Sequence, residues 1–225
     1  MTMRYARRTG VVGLAVAGVC VAVCLAGLAP AQAADWESIA GGSLGAVDLV
    51  LDGDPAEIAP IAECGTDGVE DATSSGAEVA GFVQFSGGTS TCTVDQATGV
   101  ATASVTGARF RLDGLRQYGG PRTIRMTSFT ATCHTTETGS SASFQFRGLT
   151  GLTVPSSIPP NHVITIPGAA GAPPVATVTL NETIVPSPPD GSMTVNLMHF
   201  HLFPQGPADK ASGDIVVGSV NCAPF

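Results

Sequence analysis

Ser192-Met193-Thr194-Val195-Asn196-Leu197-Met198-His199-Phe200-His201-Leu202-Phe203, followed after a polar loop by Asp214-Ile215-Val216-Val217-Gly218-Ser219-Val220-Asn221-Cys222, decides the fold. The loop carries Pro204, Gly206, Pro207 and Gly213, so the two apolar segments, Ser192–Phe203 and Asp214–Cys222, read as successive strands. At a strict period of two, Val195, Leu197 and Phe203 fall on one face of the first, and Met198, Phe200 and Leu202 on the other. A strand apolar on both faces is buried on both, which predicts a central place in a sheet. The second alternates more cleanly and carries Cys222, three residues from the end, where a covalent bond would pin the terminus.

Upstream of this pair, helix signals are almost missing. Gly, Pro, Thr and Ser punctuate the chain every eight to twelve residues, with short β-branched or alternating runs between them. That is the pattern of an all-β sandwich or barrel. A first strand is expected over Leu44–Leu51, ending in the turn Asp52-Gly53-Asp54-Pro55, since the residue before a proline is biased away from helix. The acidic segment Ala56–Glu78 reads as a long surface loop or two edge strands. Val79–Ser86 reads as a strand that Gly87-Gly88 ends.

An internal repeat follows. Thr91-Cys92-Thr93 leads through Ala97-Thr98-Gly99 into Ala101–Leu112 and Asp113-Gly114-Leu115. Thr132-Cys133-His134 leads through Glu137-Thr138-Gly139 into Ser141–Phe146 and Arg147-Gly148-Leu149. Ala108, Phe110 and Leu112 oppose Arg109 and Arg111, and Ala142, Phe144 and Phe146 oppose Ser143, Gln145 and Arg147. Period two with one wet face predicts antiparallel hairpins packed on a core through one side. Prolines from Pro155 to Pro189 then bracket His162–Ile166 and Val175–Val185, the latter with Ala176, Val178, Leu180 and Ile184 on one side. Such prolines mark strand ends and edges.

The N-terminus reads as a leader. Arg4, Arg7 and Arg8 precede the apolar run Val11–Leu28, and Ala31-Gln32-Ala33 supplies a small-x-small site, so residues 1–33 are expected to be a signal peptide cleaved before Ala34. Cys20 and Cys24 each follow Val rather than Gly or Ala, which argues against lipoprotein processing. Three of ten basic residues leave with this segment, so seven basic against eighteen acidic residues give the mature chain a balance of −11. A basic nucleic-acid footprint is absent. No later segment is long and apolar enough to be a membrane-spanning anchor.

Eleven of the acids lie between Asp35 and Glu78, and six of the seven remaining basic residues between Arg109 and Arg147. That separation supports mutual attraction and solubility. It also supports an arginine face, with Arg109, Arg111 and Arg147 as binding candidates for an anionic glycan or lipid head group. Four mature cysteines, Cys64, Cys92, Cys133 and Cys222, suggest two disulfides in an exported chain, with three pairings open.

Several phrases from Leu149 onward resemble the choice-of-anchor P family of exported actinobacterial proteins. They are Gly151-Leu152-Thr153-Val154, Pro160-Asn161-His162-Val163-Ile164-Thr165-Ile166-Pro167-Gly168, Val178-Thr179-Leu180-Asn181-Glu182, Thr194-Val195-Asn196-Leu197-Met198-His199 and Gly213–Cys222. The resemblance implies a surface or secreted β-domain, and it implies the disulfides Cys133–Cys222 and Cys64–Cys92. The chain stops at Pro224-Phe225 without a sorting motif, hydrophobic tail or basic end, so release or non-covalent retention is expected rather than wall anchoring. The family brings no established activity with it.

Three constellations carry candidate chemistry. His199 and His201, two apart on a strand, share a face as some metal-binding pairs do, and would need a third ligand from His162, His134, Asp214 or Glu182. Because that face would continue with Leu197 and Phe203, it is expected to be core-like and without a stoichiometric metal. Asp52, Asp54 and Glu57 cluster carboxylates around a turn without a full calcium loop. Gly41-Gly42-Ser43-Leu44-Gly45 matches the nucleophile-elbow pattern, but with no preceding strand or following helix it reads as a flexible entry to the first strand. Trp36, Tyr118 and nine Phe give few aromatic platforms for neutral sugars.

The expectation is therefore a leader, 1–33, and a single secreted β-domain, 34–225, with an acidic part 34–90 and the repeat and C-terminal strands in 91–225. Its fold is an antiparallel β-sandwich with internally repeated hairpins. Its role is that of a non-catalytic envelope or extracellular protein, structural or interacting, with a cell-envelope glycan or protein as partner and no cofactor. The alternative is a secreted hydrolase or metal-dependent enzyme.

Overall fold

The computed structural model describes residues 37–204 and 211–225; the expected signal peptide and its cleavage site lie outside the described residues. The fold is all-β: two antiparallel sheets of seven strands each. The first sheet holds β1 (Ile39–Leu51), β2 (Asp54–Ile58), β3 (Cys64–Gly65), β11 (His162–Ile166), β12 (Ala176–Ile184), β13 (Met193–Leu202) and β14 (Ala211–Ala223). Its order is β11-β12-β13-β14-β1-β2, with β3 also on β1. The second holds β4 (Asp71–Val79), β5 (Val83–Val94), β6 (Ala101–Gly107), β7 (Phe110–Leu112), β8 (Ile124–Met126), β9 (Ser128–Thr136) and β10 (Gly139–Arg147). Its order is β10-β9-β6-β5-β7-β8, with β4 also on β5.

Both sheets contribute to one apolar core. Phe110 of the second sheet stacks on Phe200 of the first at 5.7 Å and meets Phe85 edge-on at 5.2 Å. The inner faces approach so closely at Gly42 that a Cβ there would lie 2.7 Å from Val105 Cγ2. Two disulfides link the sheets: Cys64 of β3 to Cys92 of β5, and Cys133 of β9 to Cys222 of β14. Cys92 and Cys133 both stand opposite Ala103 of β6, one on either side, so the two staples share a single row of the second sheet.

In that sheet the hairpins β5–β6 and β9–β10 lie side by side through the β6–β9 ladder. Ala101–Leu112 is not one strand. β6 ends at Gly107, Ala108 and Arg109 are exposed, and β7 resumes against another part of β5, at Val83–Phe85. Nor do Gly87-Gly88 terminate a strand: β5 runs through them. A Cβ at Gly87 would strike the Ser74 carbonyl and one at Gly88 the Thr106 carbonyl, so these glycines serve close strand approach rather than a turn.

β1 begins at Ile39, well before the expected Leu44, and Gly41–Gly45 lies inside it rather than at a flexible entry. The turn after it is Asp52-Gly53 alone, and Asp54-Pro55 opens β2. A proline is tolerated there because β2 is an edge strand.

β13 does occupy the interior of its sheet, between β12 and β14, but its two faces are not those that strict alternation assigns. Val195 and Leu197 are buried, and so are Met198, Phe200 and Leu202. The alternation slips by one residue between Leu197 and Met198, so one face takes both apolar sets. The same slip crosses four strands on one line. Pairing is interrupted at Asn181 in β12, Leu197 in β13, Gly218 in β14 and Leu44 in β1, while the register on either side is unchanged. Asn181 and Gly218 hold left-handed backbone there, with φ of 51° and 64°, a conformation that a residue without Cβ, or with a short polar side chain, tolerates best. In β14 the buried set passes from Ile215 and Val217 to Val220 and Cys222; in β1 it passes from Ala40 and Leu44 to Val47 and Leu49. In β12 the slip turns Ile184 outward, 52% exposed, instead of continuing the face of Val178 and Leu180.

Candidate binding sites

The slip decides where the polar residues of the first sheet point. By the parity of Val178 and Leu180, Glu182 would enter the core; past Asn181 it lies on the outer face, beside Asn196 in the register. His199 and His201 lie on that outer face too, while Leu197 lies on the inner one. Phe203 leaves the strand with φ 48° and sets its ring edge-on to Tyr118 at 4.9 Å. The histidine face is therefore not the core-like surface that strict alternation predicts.

On it, five side chains form one chain of polar contacts. Asn196 Nδ2 donates to Glu182 Oε2 at 2.6 Å. His199 Nδ1 lies 2.8 Å from Glu182 Oε1, and its Nε2 lies 2.9 Å from Asp214 Oδ1. His201 Nδ1 reaches the same Asp214 oxygen at 2.9 Å. An imidazole with a carboxylate at each nitrogen can donate to both only in its doubly protonated form, so this geometry favours the imidazolium. Burial lowers its pKa, but the hydrogen bonds and charges of Glu182 and Asp214 outweigh that and hold it above the ordinary 6.5.

Folding thus brings Asp214 and Glu182 to His199, and leaves His134 on β9 of the other sheet and His162 on β11. The set is a structural ion cluster. While it is protonated, His199 offers no lone pair to act as a general base or to ligate a metal. Among the described residues no three His, Cys, Asp or Glu side chains form a metal-holding group, and that includes Asp52, Asp54 and Glu57. Ser43 belongs to β1, two strands from His199 across β14, and no hydrogen bond joins it to a histidine. It lines a shallow groove of about 350 Å³ with Asn196, Val216 and Ser219.

The arginines collect elsewhere, on the second sheet. Of the three candidates from sequence, Arg111 lines a recess of about 500 Å³, which it shares with Arg116, Arg122, Gln117 and Thr123. Arg109 precedes β7, and Arg147 ends β10. The recess forms because Asp113 leads into a 3-10 turn, Gly114–Tyr118, closed by Gly119 at φ 86°. Arg111 Nε pairs with Asp113 Oδ2 at 2.7 Å, and Thr123 Oγ1 donates to Asp113 Oδ1 at 2.6 Å. Alternation along strands gives no signal for Arg116 and Arg122, because one sits in the turn and the other in the loop after it.

Set against family models, curated proteins and solved structures, the chain matches none of them.

Proposed function

We propose that this chain is a secreted, non-catalytic extracellular or cell-envelope protein, a disulfide-stapled β-sandwich with two repeated hairpins that acts by binding a glycan or a protein. The observation that carries the reading is the pair of disulfides Cys64–Cys92 and Cys133–Cys222, which join the two sheets covalently. Such bonds persist in oxidising surroundings and are rare where thiols are kept reduced. The phrases from Gly151 to Cys222 add support for kinship with the choice-of-anchor P proteins. The engagement of both His199 nitrogens removes the best candidate base, which favours interaction over hydrolysis.

Fractionating the producing cells tests this. The protein is expected in the medium or envelope fraction, beginning within two residues of Ala34, and recovered with a specific polymer or protein. Recovery in the cytosol with free thiols would overturn it, as would turnover of a substrate abolished by one point mutation.

A further inference from the structure

We infer that the recess bounded by Arg111, Arg116 and Arg122 binds an anionic polysaccharide, one carboxylate or sulfate group seated between the guanidinium groups. This rests on the extracellular interaction reading and names the partner's chemistry.

The recess holds three arginines and one acid. Asp113 is already engaged by Arg111 and Thr123, and its pair with Arg111 Nε holds that side chain at the recess. Arg116 and Arg122 are exposed, and their guanidinium groups make no hydrogen bond or ion pair among the described residues. Arg111–Asp113 is the one arginine ion pair among those residues. Among the described residues, the acids between Glu37 and Glu78 therefore do not discharge this surface by direct pairing. In a chain of net charge −8, unpaired guanidinium groups converging on one recess mark a place built for an external oxyanion, which an arginine fork grips bidentately.

The surroundings fit a polymer better than a lone ion. Gln84, Arg111, Arg125 and Thr150 stand opposite one another on β5, β7, β8 and the segment after β10, all exposed on the outer face. At about 4.8 Å per strand they make a polar row of roughly 14 Å that meets the recess at Arg111. Glu78 closes the Gln84 end by accepting from the Gln84 amide at 3.3 Å. Sugar hydroxyls can follow such a row while a charged substituent enters the recess. A bilayer is the poorer match. The exposed large apolar side chains, Ile39, Val50, Val69, Val163, Ile184, Val185 and Phe225, do not line the recess, so nothing there would enter acyl chains.

The test measures binding of the full mature protein to polygalacturonate, dextran sulfate and uncharged dextran, and to vesicles of phosphatidylglycerol and phosphatidylcholine. The unmodified protein should bind at least one charged polymer, uncharged dextran far more weakly, and vesicles no better than dextran. Which charged polymer binds separates carboxylate from sulfate. Arg116→Ala and Arg122→Ala should each weaken binding about tenfold, the loss expected for one charged hydrogen-bonding fork. Arg147→Ala, which alters net charge equally but lies outside the recess, should change it less than about twofold. Equal losses in all three variants would reduce the effect to diffuse charge and overturn the site. Binding to neither charged polymer, or vesicle binding that depends on Arg116 and Arg122, would overturn it as well. Cell fractionation separates the two failures: an extracellular protein that ignores both polymers loses this site only, whereas a cytosolic one loses the interaction reading itself.

Discussion

Leu197 and Met198 are neighbours in β13, and both side chains are fully buried on the same face of the sheet. Consecutive residues of a regular strand point to opposite faces. Their shared direction is the local sign of the line through Asn181, Leu197, Gly218 and Leu44, where four strands change phase together. The line lets one sheet bury both apolar sets of β13 on the inner side and leaves the outer side for Glu182, Asn196, His199 and Asp214.

Gly218 is the position on that line where a side chain is least tolerated. Its φ is 64°, and an added Cβ would sit 3.1 Å from the Phe129 ring and 3.2 Å from Leu197 Cβ. Left-handed backbone costs a residue with a Cβ about 1–2 kcal/mol. Gly218→Ala should therefore lower stability by at least about 1 kcal/mol in urea unfolding. An unchanged midpoint would mean that β14 does not need the left-handed residue.

His199 links stability to pH. Its folded pKa lies above the unfolded 6.5, the carboxylates of Glu182 and Asp214 having overcome the effect of burial. The folded state therefore holds its proton more tightly. The resulting stabilisation is complete below pH 6.5 and fades as pH rises through the folded pKa. His199→Gln should destabilise by about 1–2 kcal/mol in mildly acid solution, as a charged hydrogen-bond pair does, and by less at pH 9. Imidazole titration by NMR should place His199 above an unperturbed histidine. A midpoint below 6.5 would refute the two-carboxylate geometry.

The staples close loops with sequence separations of 28 and 89 residues. Chain entropy assigns them on the order of 3–4 and 4–5 kcal/mol. Peptide mapping should recover Cys64 with Cys92 and Cys133 with Cys222. Opening the longer loop by a double Cys133→Ala, Cys222→Ala change should be the costlier of the two. A Cys64–Cys133 peptide would contradict the single-row arrangement about Ala103.

Purified protein should carry well below one zinc or copper per chain. A cation at His199 would have to displace its proton and separate it from two carboxylates at 2.8 and 2.9 Å. Chelator should leave the melting temperature unchanged within about a degree, a shift that corresponds to only a fraction of a kcal/mol for a chain of this size. One bound metal that disappears in His199→Ala would reverse the assignment and raise the enzyme alternative above the binding one.

The all-β character was legible from punctuation and alternation, because both are local properties that survive without knowledge of neighbours. β10 could be read to within two residues, as Ser141–Phe146, and Ala142, Phe144 and Phe146 do share its more buried face. The candidate sites were less legible. Glu182 and Asp214 could be named as partners of His199 but not placed beside it, since they come from β12 and β14 on either side of β13. Arg116 and Arg122 carry no periodic signal, and their convergence with Arg111 depends on how one short turn is set against β7 and β8.

By itself the sequence determined the strand-rich chain and the separation of acidic from basic residues. Each of these is written in composition or in spacing along the chain. Tertiary structure decided which way the side chains of β13 face, why Gly87-Gly88 continue a strand, which cysteines meet and which arginines gather. Those outcomes depend on the close approach of strands distant in sequence. Left-handed residues at Asn181 and Gly218 stand where four adjacent strands change phase on one line, and past that line the alternation of each strand is reversed.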